Sequence, residues 1–379
     1  MPGKRAKILY VSTAEGVSGA EKSLLLLVRH MGEHEVFVAC PAGSPLAQEV
    51  RASGGQDIAL PASRWQTSRL GRLVGRLRAG LRLRDIVGTI DPDIIHANSI
   101  YAMLPCIVAA RGRRAKLIWQ ARDFAGSRTW VSLCGWLSDK VIAVSQSVAQ
   151  WLRERGVDDS KIEVIYNGLD PAGDPLRAGG GVQGIRLEGQ GFAFANIGQF
   201  VPWKNQLLFL RAAERVQAAA PQAKFLLVGD DLFGRDSKYR RRLEGYVQTH
   251  GLSEVVTFAG WREDMSTVWP LIDCLVHTAQ REPFGRVIIE AMDAGVPVIS
   301  ADAGGPGEII DNERTGLLVS PDDVEKLAGA MLRMVWEAGL AARLAAAAIV
   351  AVRAEFTAAE TARRVSAVYA EILQHSCAS

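Results

Sequence analysis

Short runs rich in Val and Ile alternate with helix-period segments along this chain in two series, and one stretch between the series holds neither period. Apolar runs of this kind suit strands buried on both faces, since a sheet with one wet face would alternate apolar and polar residues; helices joining such strands make the sheet parallel and doubly wound. The first series places strands at 7–13, 35–40, 57–60, 93–97, 116–121, 140–145 and 161–166, and the second at 192–198, 223–229, 255–260, 274–279 and 297–300. Between them, residues 171–190 are dominated by Gly and Pro and read as a linker. After residue 321 the pattern is helical, and the last helix, 357–373, has no strand to follow it. At 379 residues the chain exceeds what one core organises, so two α/β domains are expected, 1–170 and 191–356.

Five widely scattered cysteines with no CxxC pair argue against a disulfide framework or a zinc site and fit a reducing, cytoplasmic setting. No run of eighteen apolar residues occurs, and the first residues do not form a leader, so neither a spanning helix nor a signal peptide is expected. Charge is uneven. Residues 1–168 hold 23 Lys and Arg against 15 Asp and Glu, a net +8, whereas the remaining 211 hold 21 against 26, a net −5. A basic first half suits an anionic partner.

Residues 64–84 concentrate that charge, with seven arginines and no acidic residue. Leu70, Leu73, Val74, Leu77 and Leu81 recur at helical spacing, so one face is apolar and the rest largely basic. Two readings stand: a helix that buries its leucines in its own core, or one whose arginines, Arg69, Arg72 and Arg76 among them, contact an anionic membrane.

The densest set of reactive groups lies at 277–300, where a strand ends, a loop carries Glu282, and Phe284, Gly285 and Arg286 open a helix that contains Glu290. A helix N-terminus at the carboxyl end of a parallel strand suits a phosphate, and two carboxylates suit sugar hydroxyls. Lys204 lies where a helix begins after the strand ending at Gly198, a position from which it can neutralise a phosphate leaving group. Gly16, Ser18 and Gly19 form a pliable turn after the first strand, and the glycines of 301–310 offer backbone N–H groups to a second phosphate. His96 and His277 end strands and are either acid–base groups or satisfied structural histidines. Gly179, Gly181 and Gly184 spell a dinucleotide fingerprint with no strand before it, so linker is the better reading.

Together these motifs resemble the GT4 family of retaining, nucleotide-sugar-dependent glycosyltransferases of the GT-B fold. The resemblance is carried by Glu282-x7-Glu290 within EPFGRVIIEAMDAGVPVIS and by SGAE (18–21), VIAVSQSVAQWL (141–152), VIYNGLD (164–170), GQFVPWKNQ (198–206), LLVGDD (226–231), GGPGEII (304–310) and TGLLVSPDD (315–323). It implies two Rossmann-like domains facing each other across a cleft, the first binding acceptor and the second the nucleotide diphosphate-sugar, with the helix at 357–374 crossing back to the first. It implies that Glu290 holds the ribose, that Glu282 holds the transferred sugar, and that backbone at Phe284, Gly285 and Arg286 lines sugar and diphosphate. Lys204 would stabilise the departing diphosphate, Gly198 and Gln199 would line the donor site, and Gly19 would approach the diphosphate from the other wall. Two departures stand out. Gln199 replaces a frequent arginine, and WQARDF lacks a frequent histidine, so either Arg122 stands in for it or the donor sugar is held differently.

The implied enzyme is a retaining hexosyltransferase of polysaccharide or glycolipid biosynthesis. It would need no metal or other cofactor and would act on a lipid-linked or saccharide acceptor in the cytoplasm, peripherally at the inner face of the cell membrane. A nucleotide-sugar epimerase of the same architecture and a non-catalytic binding protein of this fold are the alternatives; product analysis with donor alone, and donor hydrolysis above background, separate them. No nucleic-acid module is recognisable.

Overall fold

The computed structural model describes residues 5–61, 69–171, 191–231, 234 and 236–374, with the side chains of residues 69, 70 and 72 excepted. The expected linker, apart from Pro171, and its three spaced glycines lie outside the described residues. Two compact units emerge: Met1–Asp170 with Phe356–Ser379, and Pro171–Glu355.

In chain order the first unit comprises β1 (Lys7–Val11), α1 (Gly19–Arg29), β2 (Glu35–Pro41), α2 (Pro45–Ala52), β3 (Gln56–Leu60), α3 (Arg69–Ile90), β4 (Ile94–Ala97), α4 (Ile100–Ala110), β5 (Lys116–Ala121), α5 (Arg128–Leu137), β6 (Lys140–Ala143), α6 (Gln146–Arg153) and β7 (Ile162–Val164). The second continues with β8 (Ala193–Ile197), α7 (Gln206–Ala219), β9 (Lys224–Val228), α8 (Ser237–Thr249), β10 (Val256–Gly260), β11 (Cys274–His277), α9 (Arg286–Asp293), β12 (Val298–Ala301), α10 (Pro306–Ile309), β13 (Leu317–Val319), α11 (Val324–Trp336) and α12 (Leu340–Glu355); α13 (Ala358–Gln374) rejoins the first. The sheets run β3-β2-β1-β4-β5-β6-β7 and β10-β9-β8-β11-β12-β13, and every strand pair is parallel. All expected strands form, within a few residues of their expected ends. β13 is the addition: with three residues inside TGLLVSPDD, it is too short to show a period of its own.

Winding reverses beside β1. Steps from β1 through β3 run one way and steps from β3 through β7 the other, so right-handed crossovers put α1 and α2 on one face of the sheet and α3, α4 and α5 on the opposite face. The face under α1 and α2 is completed by α13, whose Ala362, Val365, Val368, Tyr369 and Ile372 join one core with Ile8, Tyr10, Leu24, Leu27 and Val38. This is where the last helix finds its partner.

The return is clasped by backbone. Leu169 N–H donates to Phe356 O at 3.0 Å and Ala358 N–H donates to Leu169 O at 2.9 Å. Phe356, expected to close the second domain, therefore belongs to the first, where its ring lies 5.6 Å from that of Tyr166. Arg364 adds a bond to Val164 O at 2.6 Å.

Helix α3 departs most from expectation. Among the described residues it runs from Arg69, and its buried described side chains are Ala79, Leu83, Ile86 and Val87, with Gly80 against Val108 and Pro105 of α4. Leu73, Val74, Leu77 and Leu81 lie in the open, Leu81 at 60% exposure. The apolar stripe in the sequence is thus not the one that packs. The helix carries two apolar faces, and the small residues that allow close approach to α4 select the buried one.

A side chain at Gly168 would place its Cβ 2.2 Å from the carbonyl carbon and oxygen of Thr357, in the clasp itself. Gly168→Ala should lower stability by about 1–3 kcal/mol, the usual range for forced overpacking, read as a fall in the midpoint of chemical denaturation.

Candidate active site

In the second unit the winding also reverses, between β8 and β11, which are neighbours. The segments leaving their carboxyl ends therefore meet, and ligands of open α/β sheets bind in such places. After β8 the chain passes Gly198, at φ +155°, and a short turn at Pro202–Lys204 before α7 begins. After β11 it passes Thr278 and Glu282 to Gly285, whose φ of +107° and N-cap position before α9 favour glycine.

This brings Lys204 and Glu282, 78 residues apart, into an ion pair through Glu282 Oε2. His277 Nε2 lies 3.1 Å from the same oxygen. Glu282 is 7% exposed and His277 2%. Burial alone would raise the Glu282 carboxyl, but the Lys204 charge and the His277 hydrogen bond outweigh it and hold the group at about 2. Burial, aided by the Lys204 charge, lowers the His277 imidazole, so it is neutral and donates from Nε2. A cation, a carboxylate and a neutral imidazole thus converge on one oxygen.

The neighbouring glycine loop supports this cluster. Glu282 N–H donates to Ala303 O and Gly305 N–H to Glu282 O, both at 2.8 Å, while Gly307 N–H donates to Gly304 O. A Cβ on Gly304 would lie 2.5 Å from Glu282 O, and one on Gly305 2.4 Å from Phe284 Cα. These glycines, expected to offer their N–H groups to a phosphate, spend those at Gly305 and Gly307 within the protein and hold the Glu282 loop instead. Phe284 is buried. Glu290, one turn beyond the helix start, accepts from Arg286 Nη2 at 2.9 Å. Gln199 O accepts from Gln206 Nε2 at 2.9 Å, which fixes the backbone after Gly198.

The remaining expected residues, Gly19 and Arg122, belong to the first unit. Gly19 opens α1, where Glu21 reaches back to the Ser18 N–H at 3.2 Å and to Ser12 Oγ at 3.2 Å at the end of β1. The SGAE motif is therefore also a cap that ties helix to strand, visible in the sequence as Ser three residues before Glu. Arg122 follows β5 and donates to Asn98 Oδ1 at 2.9 Å, Asn167 Oδ1 at 2.7 Å and Gln120 Oε1 at 2.8 Å. His96 is fully buried, with Nδ1 2.6 Å from the Tyr369 hydroxyl and Nε2 3.1 Å from Gln120 Oε1. Burial and the Arg122 charge lower it to about 3, so it is a structural histidine that ties α13 to the sheet.

Residues 17–172 match the family model described as Glycosyltransferase Family 4, and residues 184–350 match Glycosyl transferases group 1. The chain belongs to the GT4-type glycosyltransferases. Among relatives of this enzyme, an Escherichia coli UDP-Gal:alpha-D-GlcNAc-diphosphoundecaprenol alpha-1,3-galactosyltransferase is 27% identical over 270 residues, 64% of this chain and 66% of that one. A GDP-mannose-dependent alpha-mannosyltransferase of Mycobacterium tuberculosis (strain CDC 1551 / Oshkosh) is 26% identical over 89% of each chain. Anabaena Alr3699/HepE, solved in complex with UDP-glucose, matches at a TM-score of 0.83 with 23% identity, covering 97% of this chain and 100% of that one. The fold is accordingly GT-B, with two Rossmann-like domains.

One group at the β5 end had no assignable signal in the sequence of this glycosyltransferase. Burial pushes the Asp123 carboxyl up to about 6, against the opposing Ala125 hydrogen bond and the Arg122 charge. The folded chain therefore prefers Asp123 protonated, so its contribution to stability is full below the ordinary value of 3.8 and is lost as pH rises through about 6. Asp123→Asn should melt close to the parent at pH 4 and progressively above it by pH 7.5; a constant difference across that range would contradict the assignment.

Proposed function

We propose that this glycosyltransferase is a retaining, metal-independent hexosyltransferase that takes its sugar from a nucleotide diphosphate-sugar and gives it to a hydroxyl of a lipid-linked or saccharide acceptor. The carrying observation is the meeting of Lys204 and Glu282 at the strand ends of the second unit, beside the α9 N-terminus that leads to Glu290. The names of the relatives support the donor class: one uses UDP-Gal, one GDP-mannose, and HepE holds UDP-glucose. An acceptor on a lipid diphosphate is supported by the E. coli relative's name.

In this reading Glu290 binds the ribose, and backbone at Phe284 to Arg286 with Gly198 and Gln199 lines the donor. The bond between the anomeric carbon and the diphosphate oxygen breaks first, and its electron pair leaves with the diphosphate. Lys204 stabilises that charge. The acceptor oxygen then attacks the same face, and its proton passes to a diphosphate oxygen, so configuration is retained and no metal is required.

Ribose is bound alike in the ground and transition states, whereas the sugar ring changes charge and shape. Glu290→Ala should therefore weaken nucleotide binding by calorimetry with UDP, GDP and ADP, while Glu282→Ala mainly lowers turnover. Lys204→Ala should lower turnover by about two orders of magnitude or more, with the anomeric configuration of the product, read by NMR, unchanged from the donor. An inverted product or near-normal turnover in the alanine variant would overturn the mechanism.

The second part of the reading is location. Among the described residues no single helix is long and apolar enough to cross a membrane. Leu73, Val74, Leu77 and Leu81 of α3, Tyr101 of α4, and Leu133 and Trp136 of α5 are exposed, and all lie on helices covering one face of the first sheet. Arg78, Arg82 and Arg84 of α3 and Arg111, Arg113 and Arg114 after α4 are exposed with them. Of the arginines expected at the membrane, Arg76 lies 5.6 Å from the Tyr101 ring centroid and is half-buried, while the side chains of Arg69 and Arg72 lie outside the described residues. Apolar side chains among arginines fit an anionic bilayer, and they support a peripheral position at the cytoplasmic face of the membrane.

Each basic residue near such a surface contributes roughly 1 kcal/mol, screened by salt. Liposome binding should require anionic lipid, weaken with salt, and fall on replacing Leu77 and Leu81 with Ser or Arg78 and Arg82 with Gln. Binding indifferent to lipid charge and to all four residues would remove the membrane from the reading, and a concentration-dependent dimer lost in Leu77→Ser would assign the face to a second copy instead.

A further inference from the structure

We infer that His277 is a positioning residue which keeps Glu282 aimed and ionised when Lys204 shares its charge with the donor diphosphate; the inference rests on the proposed role of Lys204. The ammonium of Lys204 has three N–H donors but a single charge, so a diphosphate bound beside it takes a share of the attraction that now falls on Glu282 Oε2, an oxygen of a carboxylate nearly closed to solvent. A buried ion whose pairing is weakened is destabilised. His277 is the group whose support is undivided, since its Nε2–H donates to the same oxygen.

The two partners differ in how they are held. Lys204 is carried by a flexible stem on a short turn, and its ammonium lies 4.5 Å from the Trp203 ring centroid while it pairs with Glu282, so only the stem and that ring face steady it. His277 is on β11, paired in register with Ser300 of β12, and is packed inside. It cannot follow the lysine. Its neutrality also matters, because a second fixed cation would compete with Lys204 for the carboxylate, whereas an imidazole N–H supports the charge without replacing it. Glu282 Oε1 has no hydrogen-bond partner among the described residues, so the oxygen that His277 does not hold is left to accept from a sugar hydroxyl. Without His277, Glu282 would hold Lys204 more tightly in the absence of donor and lose its aim in its presence. Both diphosphate affinity and turnover would then suffer.

The test uses the full chain with whichever of UDP, GDP and ADP it binds most tightly, then with the corresponding donor. His277→Leu should weaken that nucleotide about threefold or more and lower kcat about tenfold, and His277→Gln, which restores an N–H near the Nε2 position, should recover most of both. In a Glu282→Gln background, where no charge needs support, His277→Leu should change neither quantity further, a coupling that a merely structural histidine would not show. Should His277→Leu fail to fold, judged by melting without nucleotide, His277→Asn withdraws the donor at smaller cost and takes its place in the cycle. Losses that Gln does not recover, or that persist in the Glu282→Gln background, overturn the inference. Wild-type nucleotide affinity in Lys204→Ala would instead overturn the donor-site reading on which it rests.

Discussion

The reversal of winding direction beside the first strand of each sheet is the constraint from which the rest of the molecule follows. In the second unit, strands β8 and β11 are neighbours, yet the helices that follow them run to opposite faces, so their carboxyl ends are left uncovered. Only there can side chains 78 residues apart in sequence share one oxygen. A parallel sheet wound in a single direction would send both segments the same way and bury the position under helix.

A lysine and a glutamate so placed would ordinarily neutralise each other and do little else. What distinguishes this pair is that the loop around it is fixed by backbone rather than by side chains. Ala303 and Gly305 hold the Glu282 main chain from both directions, and the two glycines permit that contact because a Cβ at either would strike the opposing chain. The carboxylate is thereby positioned before any ligand arrives. In the first unit the corresponding strand ends are organised differently, by a guanidinium spread over three amide side chains, Asn98 just after β4, Gln120 in β5 and Asn167 after β7. Arg122 occupies the neighbourhood in which the family often has a histidine, and its planar fork is what allows one group to bind three acceptors at once.

Most of the fold was legible because strands buried on both faces announce themselves as continuous apolar runs. β13 alone was missed: its apolar residues, Leu317 to Val319, are bounded by Gly316 and Ser320, whereas β7, equally short, sits in the longer run 161–166. The site was legible to the extent that it is local: Glu282, Glu290 and the helix between them sit within one short motif. What escaped depends on contacts between distant segments. Nothing in the sequence around His277 separates a strand-end imidazole that touches a carboxylate from one that does not, and nothing around Asp123 reveals the burial that raises its pKa. The glycines of 304–307 were legible as glycines but not in their purpose, since a phosphate and a neighbouring backbone ask for the same lack of a side chain. Helix α3 misled for a related reason. Its leucine spacing was correctly seen, but Gly80 and Ala79, which carry no hydrophobic signal comparable to leucine, determine which face approaches α4.

The return of α13 sets an order on synthesis. Its Val365, Tyr369 and Ile372 belong to the same core as Ile8 and Tyr10, so the first unit lacks part of its interior until α13 has left the ribosome. The second domain draws its core from a contiguous segment and can close earlier. On the ribosome, therefore, the first unit begins before the second and closes after it. Until it does, the sheet surface that α13 will cover stays open to chaperones, to proteases and to other nascent chains.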